Sequence, residues 1–268
     1  METIKLWENV PGLCEETPVL EYYPAKNKKT DATVIICAGG AYYSRAPHEG
    51  KGYAEFFNSI GMDAFVCEYR VRQHKFPLPL LDVRRAFRYV RQNAQKYGVD
   101  PERIAVMGSS AGGHLAALVS TYTDKIDASL EGIDETDSFD YKPDLTILCY
   151  PVIHRPDETG VAHVGSFVNL LGEGREDMYK SVSCDELVAA DTPPAFIWHT
   201  SDDEAVNVIN SYLYASALRK NNVPCELHVF PHGRHGMGLA KVESPYVAIW
   251  SELLHRWLIE NGWLSLNM

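Results

Sequence analysis

The 268-residue chain is poor in positive charge: 25 Lys and Arg stand against 36 Asp and Glu, a formal net charge of −11. Gripping a phosphate backbone takes a basic patch, so nucleic acid is not an expected partner. No uninterrupted apolar run approaches the ~20 residues that span a bilayer, so no membrane contact is expected. The start, Met1 to Leu6, has no apolar core of the kind a secretory leader carries, and the expectation is a cytoplasmic protein. C-x-x-C spacing is absent among Cys14, Cys37, Cys67, Cys149, Cys184 and Cys225. Three of these, Cys37, Cys67 and Cys149, lie inside apolar runs, so the set reads as buried free thiols in a reducing compartment. Internal repeats and low-complexity segments are also absent.

What is present is a hydrophobic content of 46%, enough for one substantial core, so residues 1–268 are expected to form a single domain. Strand-like runs cover Ile4 to Trp7, Val19 to Tyr23, Thr33 to Ala38, Asp63 to Tyr69, Ile104 to Met107, Leu145 to Tyr150, Ala195 to Thr200 and Glu226 to Phe230. Several, such as Val34-Ile35-Ile36-Cys37, are apolar at consecutive positions, the mark of strands buried on both faces of a parallel sheet. Helical periods lie between them. One stripe is Leu80, Leu81, Val83, Phe87 and Val90; another is Ala205, Val206, Ile209, Tyr212 and Leu213. Ser244-Pro245 reads as an N-cap followed by proline at the first helical position. The fold class is therefore α/β: a doubly wound, mostly parallel eight-stranded sheet with an antiparallel start, flanked by helices.

Two segments break this rhythm. Asp124 to Lys142 is acidic and reads as a solvated surface excursion. Residues 151–191 form a long connection and are expected to make a small cap insertion over the site. Arg84, Arg85, Arg88 and Arg91 fall on one helix and read as its solvent face with ion-pair partners.

The chemistry centres on Gly108-Ser109-Ser110-Ala111-Gly112, a G-x-S-x-G pattern. Strand-like residues precede it and a helix-like run follows, and a serine on a sharp strand-to-helix turn is held as an exposed nucleophile. A nucleotide-binding reading fails, because position 110 is Ser where G-x-G-x-x-G needs Gly. A serine hydroxyl needs a general base, and histidine suits. His235 lies on a glycine-containing loop after the last strand; His232 on the same loop is the alternative, while His114 and His199 read as packing or hydrogen-bonded residues. A histidine base predicts that activity falls below about pH 6. The acid that orients the imidazole is sought after strand Ala195 to Thr200, where Asp202 and Asp203 both qualify; Asp202 also fits as the cap of the next helix. Backbone N–H groups of Ala111 and of Gly40 and Ala41, in Ala38-Gly39-Gly40-Ala41-Tyr42-Tyr43, are candidates for an oxyanion hole. Tyr42 and Tyr43 are candidate substrate-binding residues whose rings could stack on a sugar. No metal or cofactor is implied: His48-Glu49 opens an H-E-x-x-H pattern, but Gly52 stands at the second histidine position.

Together these residues resemble the α/β-hydrolase superfamily, and more narrowly the bacterial acetyl esterases and acetylxylan esterases related to the hormone-sensitive-lipase branch. The order Ser110, Asp203, His235 is that superfamily's order. Ala38-Gly39-Gly40-Ala41 stands where that branch has H-G-G-G. The resemblance places the acid in D-x-x-V, here Asp203-Glu204-Ala205-Val206, and so selects Asp203; Asn207 replaces the usual following proline. It implies a serine carboxylesterase acting on short acyl esters, chiefly acetyl groups on sugars or xylo-oligosaccharides. The partner is then a small-molecule ester, and a homodimer stays open. A small serine peptidase of the same fold, or a non-catalytic binding module, are the alternatives.

Overall fold

Eight stretches pair into one sheet in the computed structural model, which describes residues 2–8, 10, 13, 18–124, 126, 130 and 132–265. They are β1 (Glu2–Lys5), β2 (Val19–Tyr23), β3 (Thr33–Cys37), β4 (Asp63–Glu68), β5 (Ile104–Ser109), β6 (Leu145–Cys149), β7 (Ala195–Thr200) and β8 (Cys225–Phe230). The spatial order is β1-β2-β4-β3-β5-β6-β7-β8. β2 runs antiparallel to β1 and to β4, and every later pairing is parallel.

The consecutive apolar residues work as expected. Ile35 and Cys37 of β3 enter one apolar cluster, and Val34 and Ile36 enter another. Successive side chains of a strand point to opposite faces, so each face of the sheet carries its own core. Helices α2 (Leu78–Gln92), α4 (Ser110–Thr121) and α6 (Ile209–Lys220) contribute to the first cluster. Helices α1 (Pro47–Ser59), α7 (Pro245–Ala248) and α8 (Trp250–Glu260) contribute to the second, where Trp250 stacks on Trp198 with centroids 5.0 Å apart. Burying a side chain of that size stabilises the fold by about 1.5–3 kcal/mol. A short α3 (Ala94–Tyr97) follows α2.

Three expectations change. β1 is Glu2–Lys5 rather than Ile4 to Trp7: Trp7 leaves the ladder because its ring is buried and its Nε1–H donates to Asp82 at 2.8 Å. The buried positions of α6 are Asn210, Ser211, Tyr214 and Leu218, while Ile209 and Tyr212 are exposed. Those polar residues belong inside because they are satisfied there: Asn210 Oδ1 accepts from the N–H groups of Ile153 and His154, and Ser211 pairs with His199.

The third correction concerns the arginines of α2, while the acidic excursion keeps its place at the surface, with residues 132–135, 138 and 140 exposed. Arg84, Arg85, Arg88 and Arg91 are buried, not solvent-facing, because the acidic excursion lies on top of them. Arg85 donates to both oxygens of Asp134 and to Asp137, whose side chain is 1% exposed. Arg88 reaches Asp137 and the Phe139 carbonyl; Arg91 reaches Asp144 and the carbonyls of Asp140 and Lys142. Arg84 sits 4.0 Å from the Tyr141 ring centroid. Guanidinium groups tolerate burial only when paired, and residues 134–144 supply the pairing. Asp127 and Glu131 of the excursion lie outside the described residues.

The connection from β6 to β7 carries α5 (Val164–Leu171) and two 3₁₀ turns, Glu176–Met178 and Lys180–Val182. It packs against the loop after β3, since Asn169 Nδ2–H donates to the Ala41 carbonyl at 2.8 Å. At its base His154 bridges Asp157 and Asp185, 2.9 Å from each. Burial pulls the His154 pKa down, but those carboxylates outweigh burial and leave it above the ordinary histidine value.

Among the described residues Cys37, Cys67, Cys149, Cys184 and Cys225 are free thiols; Cys14 lies outside them. Burial pushes Cys149 up to about 12, so its thiol stays protonated and inert.

Candidate active site

The sheet topology fixes where chemistry can gather. From β3 the chain turns to β4 on one side and then crosses to β5 on the other. In open α/β sheets the crevice at such a reversal, outside the carboxyl ends of the strands, is where ligands bind. The loops leaving β3 and β5 are Ala38–Ser44 and the Ser110 turn, so both face that crevice.

Ser110 takes φ +54° between β5 and α4, a strained conformation for a residue with a side chain, costing about 1–3 kcal/mol. The flanking glycines make the turn fit. A Cβ on Gly108 would lie 2.0 Å from the Gly112 carbonyl oxygen, and one on Gly112 would lie 2.1 Å from that of Cys37.

His235 comes from the loop after β8. Its Nε2 lies 2.8 Å from Ser110 Oγ and its Nδ1 lies 2.7 Å from Asp203 Oδ2. A carboxylate accepts, so Nδ1 carries the proton and Nε2 is left to accept from the serine hydroxyl. Asp203 Oδ1 accepts from the N–H groups of Ala205 and Val206, 2.9 Å each. Burial raises the Asp203 pKa, but hydrogen bonds from His199 and His235 outweigh it and hold the carboxyl well below its usual range. His199 is fully buried at the end of β7. Its Nε2–H donates to the Val206 carbonyl at 3.0 Å and lies 3.4 Å from Asp203 Oδ2.

The alternative residues go elsewhere, and to each other. Asp202 accepts from His232 Nδ1 at 2.9 Å and from Gly233 N–H at 2.8 Å, on the surface. Capping at the start of the following segment falls to Asp203, not Asp202. His114 is buried between the Tyr42 hydroxyl and the Val182 carbonyl, and burial pushes its pKa down to about 4.

In the loop after β3, Gly39 N–H donates to Glu49 at 2.7 Å. Ala41 follows at φ +54°. The N–H groups of Gly40 and Ala41 have no protein acceptor among the described residues. Ala111 sits in the first turn of α4, where N–H groups lack intrahelical partners. A cleft of about 530 Å³ opens beside His235, lined by Asp202, Glu204, Ala205, Gly233 and Arg234.

Tyr42 is corrected. It is 1% exposed and its hydroxyl is held 2.7 Å from His114 Nδ1, so its ring is a core element and offers no face to a ligand. Positive φ at Ala41 and Tyr42 turns that side chain inward. Tyr43 is 60% exposed, with the Arg72 guanidinium 5.2 Å from its ring centroid.

Three residues near the site receive no site role from the sequence, where Glu49 enters only as part of a metal motif. Tyr150, just after β6, meets the His235 ring edge-on with centroids 5.0 Å apart; its place at a strand's carboxyl end was the available signal. Glu49 is 2% exposed beneath the Gly39 turn. His163 caps α5, its Nδ1 accepting from Ser166 N–H, and burial and then the charge of His235 push its pKa down. Among the described residues no group of three or more His, Cys, Asp or Glu is placed to hold a metal ion, and no helix is long and apolar enough to cross a membrane.

Residues 21–218 match the family BD-FAE. The chain is 38% identical over 222 residues to endo-1,4-beta-xylanase B of Butyrivibrio fibrisolvens, covering 80% of this chain and 34% of that protein. It is 33% identical over 218 residues to an acetylxylan esterase of Xylanibacter ruminicola, covering 80% and 42%. The chain thus spans well under half the length of these curated relatives. Among solved structures, an acetyl ester-xyloside bifunctional hydrolase from Caldicellulosiruptor lactoaceticus superposes with a TM-score of 0.90 at 43% identity, covering 98% of this chain and 97% of that one.

Proposed function

The chain belongs to the BD-FAE family and has the α/β-hydrolase fold, and from this we propose that it is a serine carboxylesterase that removes short acyl groups, chiefly acetyl, from sugars such as xylo-oligosaccharides. The observation that carries the proposal is the unbroken line Ser110–His235–Asp203, with links of 2.8 and 2.7 Å. Ser110 Oγ attacks the ester carbonyl as His235 Nε2 takes its proton. The carbonyl oxygen becomes an oxyanion, met by the N–H groups of Ala111, Gly40 and Ala41. Collapse expels the alcohol, which takes the proton from His235, and leaves an acyl ester on Ser110. Water then attacks that ester, passing its proton to His235, and a second collapse returns it to Ser110 as the carboxylic acid leaves. Asp203 holds the imidazole in the required tautomer and balances its positive form.

The polar lining of the cleft beside His235 supports a hydroxylated leaving group, and the acetylxylan esterase among its relatives supports acetyl on a xylose-based sugar. Rates on p-nitrophenyl esters of two, four and eight carbons test the acyl choice. Acetate should be cleaved fastest and octanoate at least about tenfold slower, the scale on which a pocket discriminates added methylenes. Acetylated xylo-oligosaccharide should release acetate. Turnover of aminoacyl amides with no ester cleavage would replace this reading by a peptidase.

A further inference from the structure

His48-Glu49 has no second histidine to make a metal site, yet Glu49 is among the few charged side chains that are almost fully buried. Its surroundings explain why. Glu49 Oε2 accepts from Gly39 N–H at 2.7 Å. Its Oε1 accepts from the Tyr150 hydroxyl at 2.6 Å. That same hydroxyl accepts from Gly238 N–H at 2.9 Å, in the loop that carries His235. Tyr53 completes the web: its hydroxyl lies 3.2 Å from that of Tyr150 and 2.8 Å from Ser109 Oγ, next to the nucleophile. On the outer side His48 Nε2 lies 3.0 Å from the Gly236 carbonyl.

We propose that Glu49 is a positioning residue which, through Tyr150, locks the loop bearing the Gly40 and Ala41 amides to the loop bearing His235, so that oxyanion donors and general base keep one fixed spacing about Ser110. The inference rests on the reading of Ser110 as nucleophile. Gly39 N–H is engaged by Glu49, which leaves the next two amides for a ligand. Both catalytic loops are irregular backbone, and Ala41 and Tyr42 hold positive φ. Turn hydrogen bonds from Tyr43, Ser44 and Ala46 N–H to the Gly40 and Gly39 carbonyls hold the first loop internally but none of them reaches the second, and the chain Gly39–Glu49–Tyr150–Gly238 supplies a link between the two. A charged acceptor strengthens each bond it receives. The cost of burying it is tolerated only because both oxygens are satisfied. Catalysis is sensitive to this, since displacement of about 1 Å costs on the order of 10²-fold in rate.

The test uses Glu49→Gln, Tyr150→Phe and the double variant, with p-nitrophenyl acetate and with thermal unfolding as the check on folding. Glu49→Gln should lower kcat by about 10²-fold and leave KM within about threefold, because the loss falls on the transition state rather than on ester binding. Tyr150→Phe, which removes one oxygen atom, should lower kcat by at least about tenfold. The double variant should be no worse than Glu49→Gln alone, as expected for two members of one network. Unchanged kcat in either folded single variant would overturn the proposal, as would losses that multiply in the double variant. Should Glu49→Gln fail to fold, Tyr150→Phe decides alone. Wild-type hydrolysis that does not depend on Ser110 would sink the parent reading instead, and is distinguished by the Ser110→Ala control.

Discussion

Replacing Ser110 by Ala should lower kcat on p-nitrophenyl acetate by about 10⁴- to 10⁶-fold, with KM little changed and the fold intact. The size follows from what is removed. Ala has no Oγ, so no acyl-enzyme can form, and water must attack the bound ester directly. The oxyanion donors and His235 on Asp203 remain, and such a remnant still accelerates hydrolysis by about 10³- to 10⁴-fold over water. KM is expected to hold because the cleft is untouched. Stability should change little: Ala meets the same positive φ that Ser110 adopts, and the loss is one partly buried hydrogen bond to His235, worth about 1 kcal/mol. Steady-state kinetics beside a thermal melt checks both halves. Activity within tenfold of wild type in a folded variant would remove Ser110 from the mechanism.

Asp203→Asn should cost about 10⁴-fold in kcat, for a different reason. Asp203 Oδ1 accepts two backbone N–H groups, which pins the amide oxygen of Asn to that side. The amide NH₂ must then occupy the place of Oδ2, facing His235 Nδ1 and His199 Nε2. A donor there drives His235 to the tautomer with its proton on Nε2, which cannot accept from Ser110. The pH behaviour separates this from simple damage. In wild type the Asp203 carboxyl is held well below its ordinary range by His199 and His235 against the opposing effect of burial. It therefore stays ionised across the range in which a histidine base protonates. A depressed carboxyl stabilises the folded state above its unfolded value of about 3.9, and that contribution is lost only as pH falls further. Asn has no such dependence, so the variant's stability should lack the acid-side fall that Asp203 contributes. A kcat loss under tenfold, measured from pH 5 to 9, would contradict the assignment of Asp203.

The middle of the sheet was legible in the sequence because β3 to β7 are buried on both faces and so advertise themselves as apolar runs. Val34-Ile35-Ile36-Cys37 needs no partner to be recognised. The Ser110 turn was legible for a similar reason: strand, glycine-bounded serine and helix are all local. What failed to show was long-range. The arginines of α2 look like a solvated face when read alone, and only their meeting with residues 134–144, some fifty residues on in sequence, explains why they and the Asp137 side chain are buried. Asn210 and Ser211 broke the apolar stripe of α6 because hydrogen bonds to residues on other elements fit them for the interior. Tyr42 and Tyr43 are neighbours of one type, and the backbone twist at Ala41 and Tyr42 decides which goes in. Glu49 and Tyr150 lie about a hundred positions apart, and their bond is visible only once α1 and the end of β6 are brought together by the fold.

The central claim, that Ser110 is a nucleophile activated by His235, is tested most directly by a fluorophosphonate probe with peptide mapping by mass spectrometry. The account predicts one stoichiometric adduct, on Ser110 in wild type, and strongly slowed labelling in His235→Ala. An adduct on another serine, or labelling of Ser110 at the wild-type rate without His235, would contradict it.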